Sequence, residues 1–242
     1  MDFNDTAEEA TFRSDVRAFL DANAKRKSEA QGVYRGRYIA DEEMLKQAKA
    51  WQAKKADAGF VGITWPKQLG GRGGTPMQQV IYSQEEANYL VPRGVFEIGL
   101  GMCIPTMMTY GTPEQLKRHV APAMRGEEIW CQLFSEPAGG SDLAGLRTRA
   151  ERDGDEWVIN GQKNWITNAS IADFYVVFAV PDRENRRLSA FVVEKERDGF
   201  DPGKLEHKLG IKGSPTGSPS FTDVRVPHEN LVGVEGKGLS VA

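Results

Sequence analysis

Cysteine is nearly absent from this chain of 242 residues, Cys103 and Cys131 being the only two. Two thiols in a chain this long read as small buried hydrophobes in a reducing compartment, not as a disulfide framework. Histidine is as scarce, and His119, His207 and His228 stand at no metal-ligand spacing to one another or to the cysteines, so no metal site is expected. A basic excess is missing too. Lys and Arg number 31 against 34 Asp and Glu, a net charge of −3 that gives no electrostatic drive toward a nucleic-acid backbone. No stretch approaches the roughly 18 consecutive apolar residues of a bilayer span, and Met1-Asp2-Phe3-Asn4-Asp5 is acidic where a targeting peptide is basic. Nucleic acid and a membrane span are thereby set aside, and the reading is a soluble cytoplasmic protein. The G-x-G-x-x-G and P-loop fingerprints of nucleotide sites are absent as well.

What is present is an ordinary globular composition, 40% hydrophobic and 27% charged, long enough for one large domain or two small ones. The first half is patterned for helices. Thr6-Ala7-Glu8-Glu9 fits a capping box, and Phe12, Val16, Phe19 and Leu20 follow on one face to about Ala24. Asp41 is placed to cap a second helix whose stripe is Leu45, Ala48 and Trp51, with Gly59 as its stop. Trp65 to Gly74 holds four glycines and a proline and reads as a loop. Thr75-Pro76 and Thr112-Pro113 each open a further helix, the first to about Asn88 and the second carrying Leu116, Val120 and Met124. Val95 to Met108, between them, reads as a buried central helix.

From Ile129 the pattern turns to short β-rich runs: Trp157-Val158-Ile159, Phe174-Tyr175-Val176-Val177-Phe178 and Phe191-Val192-Val193. Asn160-Gly161 predicts a two-residue hairpin joining Trp157–Ile159 to Lys163–Ile166. Helices followed by strands indicate an α+β protein, an all-α helical unit over residues 1–126 and then an antiparallel β-barrel or sandwich over 127–234.

Chemistry concentrates in two stretches. In Phe134-Ser135-Glu136-Pro137-Ala138-Gly139-Gly140-Ser141-Asp142, a Gly-Gly-Ser turn with hydroxyls on either side makes an anion-binding concavity, for which a phosphate is the natural guest; an ordinary surface loop is the competing reading. Trp165-Ile166-Thr167-Asn168 then sets an indole and a hydroxyl at a strand end, where alone they would read as core and strand residues.

In this order and at this separation, the two stretches resemble the acyl-CoA dehydrogenase flavoproteins, with their S/T-E-P-x-x-G-S-D and W-I-T signatures. Lys208-Leu209-Gly210, Ser214-Pro215-Thr216, Phe221 to Pro227 and Asn230-Leu231-Val232-Gly233 extend the resemblance, and Gly62-Ile63-Thr64-Trp65-Pro66 with Gly70-Gly71 carries it into the helical half. It implies FAD as cofactor and an acyl-CoA as substrate. By it the backbone of Gln132, Leu133 and Phe134 runs beside the isoalloxazine, Ser135 bonds the pyrimidine edge, Gly140 and Ser141 lie at the pyrophosphate with Ser141 near the acyl-CoA, Trp165 and Ile166 line the ring, Thr167 faces N5, and Ser214 meets substrate. Pro219, where an apolar strand residue is expected, implies an edge or distorted strand.

The implied reaction removes a proton from Cα of the thioester and passes hydride from Cβ to flavin N5, leaving a trans-enoyl-CoA. The family places its catalytic Glu in a C-terminal helical domain, whose first helix residues 235–242 would open. On this expectation the chain is truncated and supplies no catalytic base, electron-transfer flavoprotein or a similar acceptor takes the electrons, and the protein is a homo- or hetero-oligomer. Two alternatives stay open: a non-catalytic flavin- or acyl-CoA-binding partner subunit, and an acyl-CoA oxidase or flavin monooxygenase of the same fold.

Overall fold

Residues 4–29, 42–182 and 187–242 are described by the structure, a computed structural model. Three helices begin in the same local chemistry. At Thr6, Thr75 and Thr112 the hydroxyl accepts the backbone N–H three residues on, and the Glu9, Gln78 or Gln115 side chain returns to the cap's own N–H, satisfying two free donors reciprocally. These boxes start α1 (Ala7–Asn23), α3 (Pro76–Glu86) and α5 (Pro113–Arg125). Helix α2 spans Glu42–Asp57 and ends at Gly59, whose φ of +72° lets the chain turn away. The cap expected at Asp41 lies outside the described residues. Phe12, Val16 and Leu20 of α1 meet Trp51 of α2 and Ile81 and Tyr82 of α3 in one apolar cluster.

The loop from Trp65 to Gly74 contains a single 3₁₀ turn, Lys67–Leu69. The helix expected over Val95–Met108 is neither continuous nor wholly buried: a π-helical turn, Gly99–Cys103, leads into α4 (Ile104–Tyr110), with Gly101 and Met102 exposed. The wide turn brings Gly99 against the strand that begins at Trp130, where a Cβ would stand 3.1 Å from that of Trp130.

Two short strands, β1 (Lys25–Arg26) and β2 (Tyr89–Leu90), pair within the helical half. The second half forms β3 (Trp130–Leu133), β4 (Arg149–Asp153), β5 (Glu156–Gln162), β6 (Ile166–Thr167), β7 (Phe174–Asp182), β8 (Arg187–Glu194), β9 (Phe200–Asp201), β10 (Thr216–Gly217), β11 (Ser220–Pro227) and β12 (Leu231–Val232), with a last short helix α6 (Gly238–Val241). The main sheet runs β12-β8-β7-β4-β5-β11-β9, with β3 also on β7. Two expectations are corrected here. The sheet is mixed, because β3 and β4 both run parallel to β7, and among the described residues it closes no barrel. It folds instead as a sandwich about β7. Tyr175, Val177 and Ala179 face Trp157, Ile159, Val224 and Val226 of β5 and β11, while Phe174, Val176 and Phe178 face Ile104, Met107, Val120 and Met124 of the helices. A strand covered on both faces explains the unbroken apolar run of β7. Cys103 and Cys131 are free and wholly buried in these clusters, and burial pushes both thiols well above their ordinary range.

The hairpin at Asn160-Gly161 does not form. Strand β5 continues through both residues, and the chain reverses one strand earlier, at Gly154-Asp155 between β4 and β5. The Asn-Gly pair serves a bulge in place of a turn. The register of β11 on β5 slips between Phe221 and Val224, Asp223 sits at φ +50°, and Asn160 holds it with two bonds, accepting from its N–H at 2.9 Å and donating to its carboxylate at 3.0 Å. Gly161 is needed for close approach, since a Cβ there would stand 2.6 Å from Thr148 Oγ1 and 2.8 Å from Thr148 Cα. Pro219 falls in the break between β10 and β11, where the strand changes partners from β6 to β5.

Gly161→Val is expected to cost about 1–3 kcal/mol, the usual penalty of forcing a branched side chain into packed backbone. The urea-unfolding midpoint reads this; an unchanged midpoint would mean that β5 does not pack against Thr148.

Candidate functional site

The candidate site grows from a gap in the sheet. Strand β3 pairs with β7 from Trp130 opposite Phe174 to Leu133 opposite Val177, and β4 rejoins β7 only at Arg149 opposite Val180. Because β8 occupies the other edge, β3 and β4 share this one, and between them the chain leaves the sheet over residues 134–148. The Phe178 carbonyl is left facing the gap. An unpaired buried carbonyl is costly, and Lys163 fills the place: its ammonium, fully buried, donates to Phe178 O at 2.7 Å, to Glu136 Oε1 at 3.0 Å and to Phe134 O at 3.2 Å. Glu136 also accepts from the Thr148 hydroxyl at 2.6 Å, Thr148 N–H at 2.9 Å and Arg147 N–H at 2.7 Å. Burial alone would raise the Glu136 carboxyl, but the Thr148 hydroxyl, the Lys163 charge and the two backbone N–H groups outweigh it and hold the group below its ordinary range. Burial draws Lys163 down to about 8 against the pull of Glu136.

Around this pair the two sequence stretches meet. Asn164 N–H donates to Ser135 O at 2.9 Å, and its side-chain oxygen accepts from Trp165 N–H at 3.0 Å and from the Ser218 hydroxyl at 2.6 Å. Trp165 is not core: its side chain is 60% exposed and its backbone sits at φ +58°, a left-handed conformation that is strained for a bulky residue. Ser135 is half-buried and Gly140 lies opposite it, an added Cβ standing 3.8 Å from its hydroxyl. Glu136 and Gly139 exchange backbone bonds, closing the turn that exposes Gly140 and Ser141, and Asp142 Oδ1 accepts from Gly145 N–H at 3.1 Å. The hydroxyls of Ser135, Ser141 and Thr167 have no partner among the described residues. Gln132 Oε1, on β3, is buried with no donor among the described residues.

Beyond Trp165, β6 pairs with β10, placing Thr167 opposite Thr216. Asn168, buried at φ +66°, donates from its backbone to Pro215 O at 2.7 Å and from its side chain to Val95 O at 2.8 Å, tying the strands to the helical half. A cleft of about 350 Å³ opens there, walled by Thr167, Asn168 and Ser214 on one side and by Gly94, Glu97 and Ile98 on the other. Lys208 holds the Ser214 wall, donating to Ser214 O and Thr216 Oγ1, both at 2.7 Å.

Thr167 and Ser214 thus share the cleft, and Ser135 joins Trp165 through Asn164. Ser141 stands on a separate turn and does not line the cleft. The side chains of Leu133 and Ile166 are core, leaving only their backbones available, and the Phe134 ring packs against Phe178 with centroids 4.5 Å apart. The reading by motif missed Lys163, Asn164, Asn168 and Glu97. Lys163 left one trace: Trp157, Ile159, Gly161 and Lys163 alternate along β5 and past its end, which puts the lysine on the inward side.

Residues 6–127 match the family model of the acyl-CoA dehydrogenase N-terminal domain and residues 131–224 that of the middle domain. The chain is 35% identical to a short-chain specific acyl-CoA dehydrogenase of Clostridium acetobutylicum, over 100% of this chain and 62% of that protein. Among solved structures it superposes on the ChsE4-ChsE5 complex from Mycobacterium tuberculosis with a TM-score of 0.80 and 28% identity, covering 100% of this chain and 60% of that one. A glutaryl-CoA dehydrogenase from Mycobacterium smegmatis in complex with FADH2 matches with a TM-score of 0.73 and 26% identity, over 98% of this chain and 57% of that one. This chain spans about three fifths of each.

Because the folded Glu136 carboxyl lies below its unfolded value near 4.5, its stabilisation is complete above that pH and is lost as the pH falls through the folded value. Urea midpoints measured from about pH 5 downward should fall less steeply for Glu136→Gln than for the native chain; equal slopes would show the pair to be electrostatically idle. Trp165→Gly should keep or raise the midpoint, since relief of the left-handed strain, about 1–2 kcal/mol, offsets the entropy cost of glycine. A clear fall would mean that the indole packs in the fold.

Proposed function

The chain belongs to the acyl-CoA dehydrogenase family, and from that membership we propose that it carries the cofactor-binding elements of an FAD-dependent oxidoreductase that desaturates an acyl-CoA thioester between Cα and Cβ. The observation that carries the reading is the exposed, strained Trp165 beside hydroxyls that have no partner among the described residues. The donor set suits FAD. A flat heterocycle with a polar edge offers an aromatic face to the indole, acceptors to the Ser135 and Thr167 hydroxyls, and an N–H to the orphaned Gln132 oxygen. The open turn at Gly140 and Ser141 suits a pyrophosphate.

Bound FAD would supply the hydride acceptor, N5. The chain's own contribution is placement: Trp165 would cover one face of the ring and exclude water, the backbone of Gln132 to Phe134 would run beside the isoalloxazine, Ser135 would bond its pyrimidine edge, and Thr167 would direct its hydroxyl toward N5. Ser214, on the cleft wall with Thr167, contacts the acyl-CoA. Glu136 and Asp142 are committed to holding the loop, so neither takes the Cα proton. Among the described residues Glu97 is the one carboxylate on the cleft wall, and none of them is assigned the Cα proton. The short-chain relative, with likeness to the butyryl-CoA dehydrogenase of Megasphaera elsdenii, makes butyryl-CoA the first thioester to try. No helix among the described residues is long and apolar enough to cross a membrane. The proposed enzyme is cytoplasmic and passes electrons to an electron-transfer flavoprotein or similar acceptor. Likeness to a two-protein complex supports a second reading, a flavin-holding subunit that turns over only beside a partner chain.

An anaerobic titration tests the assignment. The purified chain is expected to bind FAD with a changed visible band and to keep it oxidised when butyryl-CoA is added. Bleaching would place a working base inside these 242 residues, and its loss in Glu97→Gln would identify it. Failure to bind FAD would remove the functional reading.

A further inference from the structure

We propose that Lys163 and Glu136 form a positioning pair for the cofactor: the buried ammonium sets the separation between Phe134-Ser135 and Trp165, and with it the seat of the flavin ring. The proposal rests on the flavin reading above and deepens it.

Neither Phe134-Ser135 nor Asn164-Trp165 lies in a strand, so no β-ladder fixes one against the other. A single backbone bond joins them, Asn164 N–H to Ser135 O, and one bond leaves rotation about itself free. Lys163 removes that freedom. Its three protons go to three acceptors on two segments: the Phe134 carbonyl just before Ser135, the Glu136 carboxylate just after it, and the Phe178 carbonyl of β7. Glu136 in turn is fixed by Thr148 and Arg147 at the entry to β4. Ser135 is therefore clamped on both sides by one ammonium that is itself anchored to the central strand.

The same anchor sets the indole. Positions 163 and 165 would share a face in a regular strand, yet Lys163 is fully buried and Trp165 is 60% exposed. The chain turns over between them, with Trp165 at φ +58° and its N–H held by Asn164 Oδ1. A lysine held inward at three points fixes where that reversal occurs. Stability alone does not account for the arrangement, because a buried ion pair is commonly matched or bettered by apolar side chains of the same volume. What apolar groups could not do is hold two carbonyls and a carboxylate at hydrogen-bond distance from one point.

The test compares the 242-residue chain with its Lys163→Met variant, by titration with FAD followed through flavin fluorescence and the visible band of the bound flavin. Lys163→Met, checked for a cooperative urea transition, is expected to bind FAD roughly 10–100-fold more weakly, as when a group supporting a preorganised site is removed. At saturation its band should move toward that of free FAD, and Trp165 fluorescence should be quenched less. Val226→Ala, in the core of the same sheet, is the control for general destabilisation and should leave affinity and band unchanged. If Lys163→Met does not fold cooperatively, Glu136→Gln carries the test with the same expectation, since its amide sets a donor against the Arg147 N–H. A folded variant with native affinity and band overturns the proposal while leaving the flavin reading intact, and so does an equal loss in Val226→Ala. Absence of FAD binding by the native chain overturns the flavin reading, and the pair's role falls with it.

Discussion

The sheet half is organised around a carbonyl that its own ladder does not satisfy. Strand β7 is buried on both faces and bordered along one edge by β8, but its other edge is shared by two strands that do not meet, and Phe178 lies in the interval. An acceptor buried there without a donor would cost about 1–3 kcal/mol. The chain answers with a lysine, which brings a charge into the core, and that charge requires Glu136. Glu136 requires Thr148 and Arg147, and Thr148 is approached so closely by β5 that only glycine fits at 161. Each residue follows from the one before, and all lie at the root of the loop that carries Ser135, Gly140 and Ser141.

The gap has a functional counterpart. Were β3 to continue straight into pairing beside Phe178, its backbone donors would be spent on the ladder and no loop would leave the sheet. The excursion over residues 134–148 instead presents the Ser135 and Ser141 hydroxyls, which have no partner among the described residues, and an open turn at Gly140. The helical half contributes the opposite wall. Asn168 reaches across to Val95 O, and Gly94, Glu97 and Ile98 complete the cleft just ahead of the π-helical turn. The capping boxes at Thr75 and Thr112 bear on this indirectly, because α3 and α5 bracket the segment that supplies that wall.

What could be read from the residues alone follows the range of the interactions. The starts of α1, α3 and α5 were legible because a cap is a contact among four neighbouring residues, complete within the sequence window that shows it. The two motif stretches were legible as a family resemblance, and the structure brings them together through Asn164. The parallel pairing of β3 with β7 was not, since it joins residues more than forty positions apart and leaves no local mark. The hairpin at Asn160-Gly161 failed for an instructive reason. Asn and Gly favour that turn because both tolerate positive φ, but the pair is here used against a partner strand, Asn160 to hold the bulge at Asp223 and Gly161 to clear Thr148. Breaking the strand there also hid Lys163. Continued past Gly161, the alternation of Trp157 and Ile159 points the lysine inward, and a buried lysine asks at once for a carboxylate.

The strain at Trp165 completes the argument about where energy has been placed. A left-handed aromatic residue opposes folding, and an indole left 60% exposed returns little burial to offset it. The surroundings that tolerate this are unusually determined: Ile166 is core, Asn168 is bonded to both halves, and Lys163 is held at three points. A segment pinned at 163, 166 and 168 has little conformational choice left at 165, so the backbone cost there is borne by the sheet and not by a ligand. The consequence is preorganisation. A flat aromatic guest meets an indole already turned outward, and the binding free energy it would otherwise spend on ordering that side chain remains available for affinity.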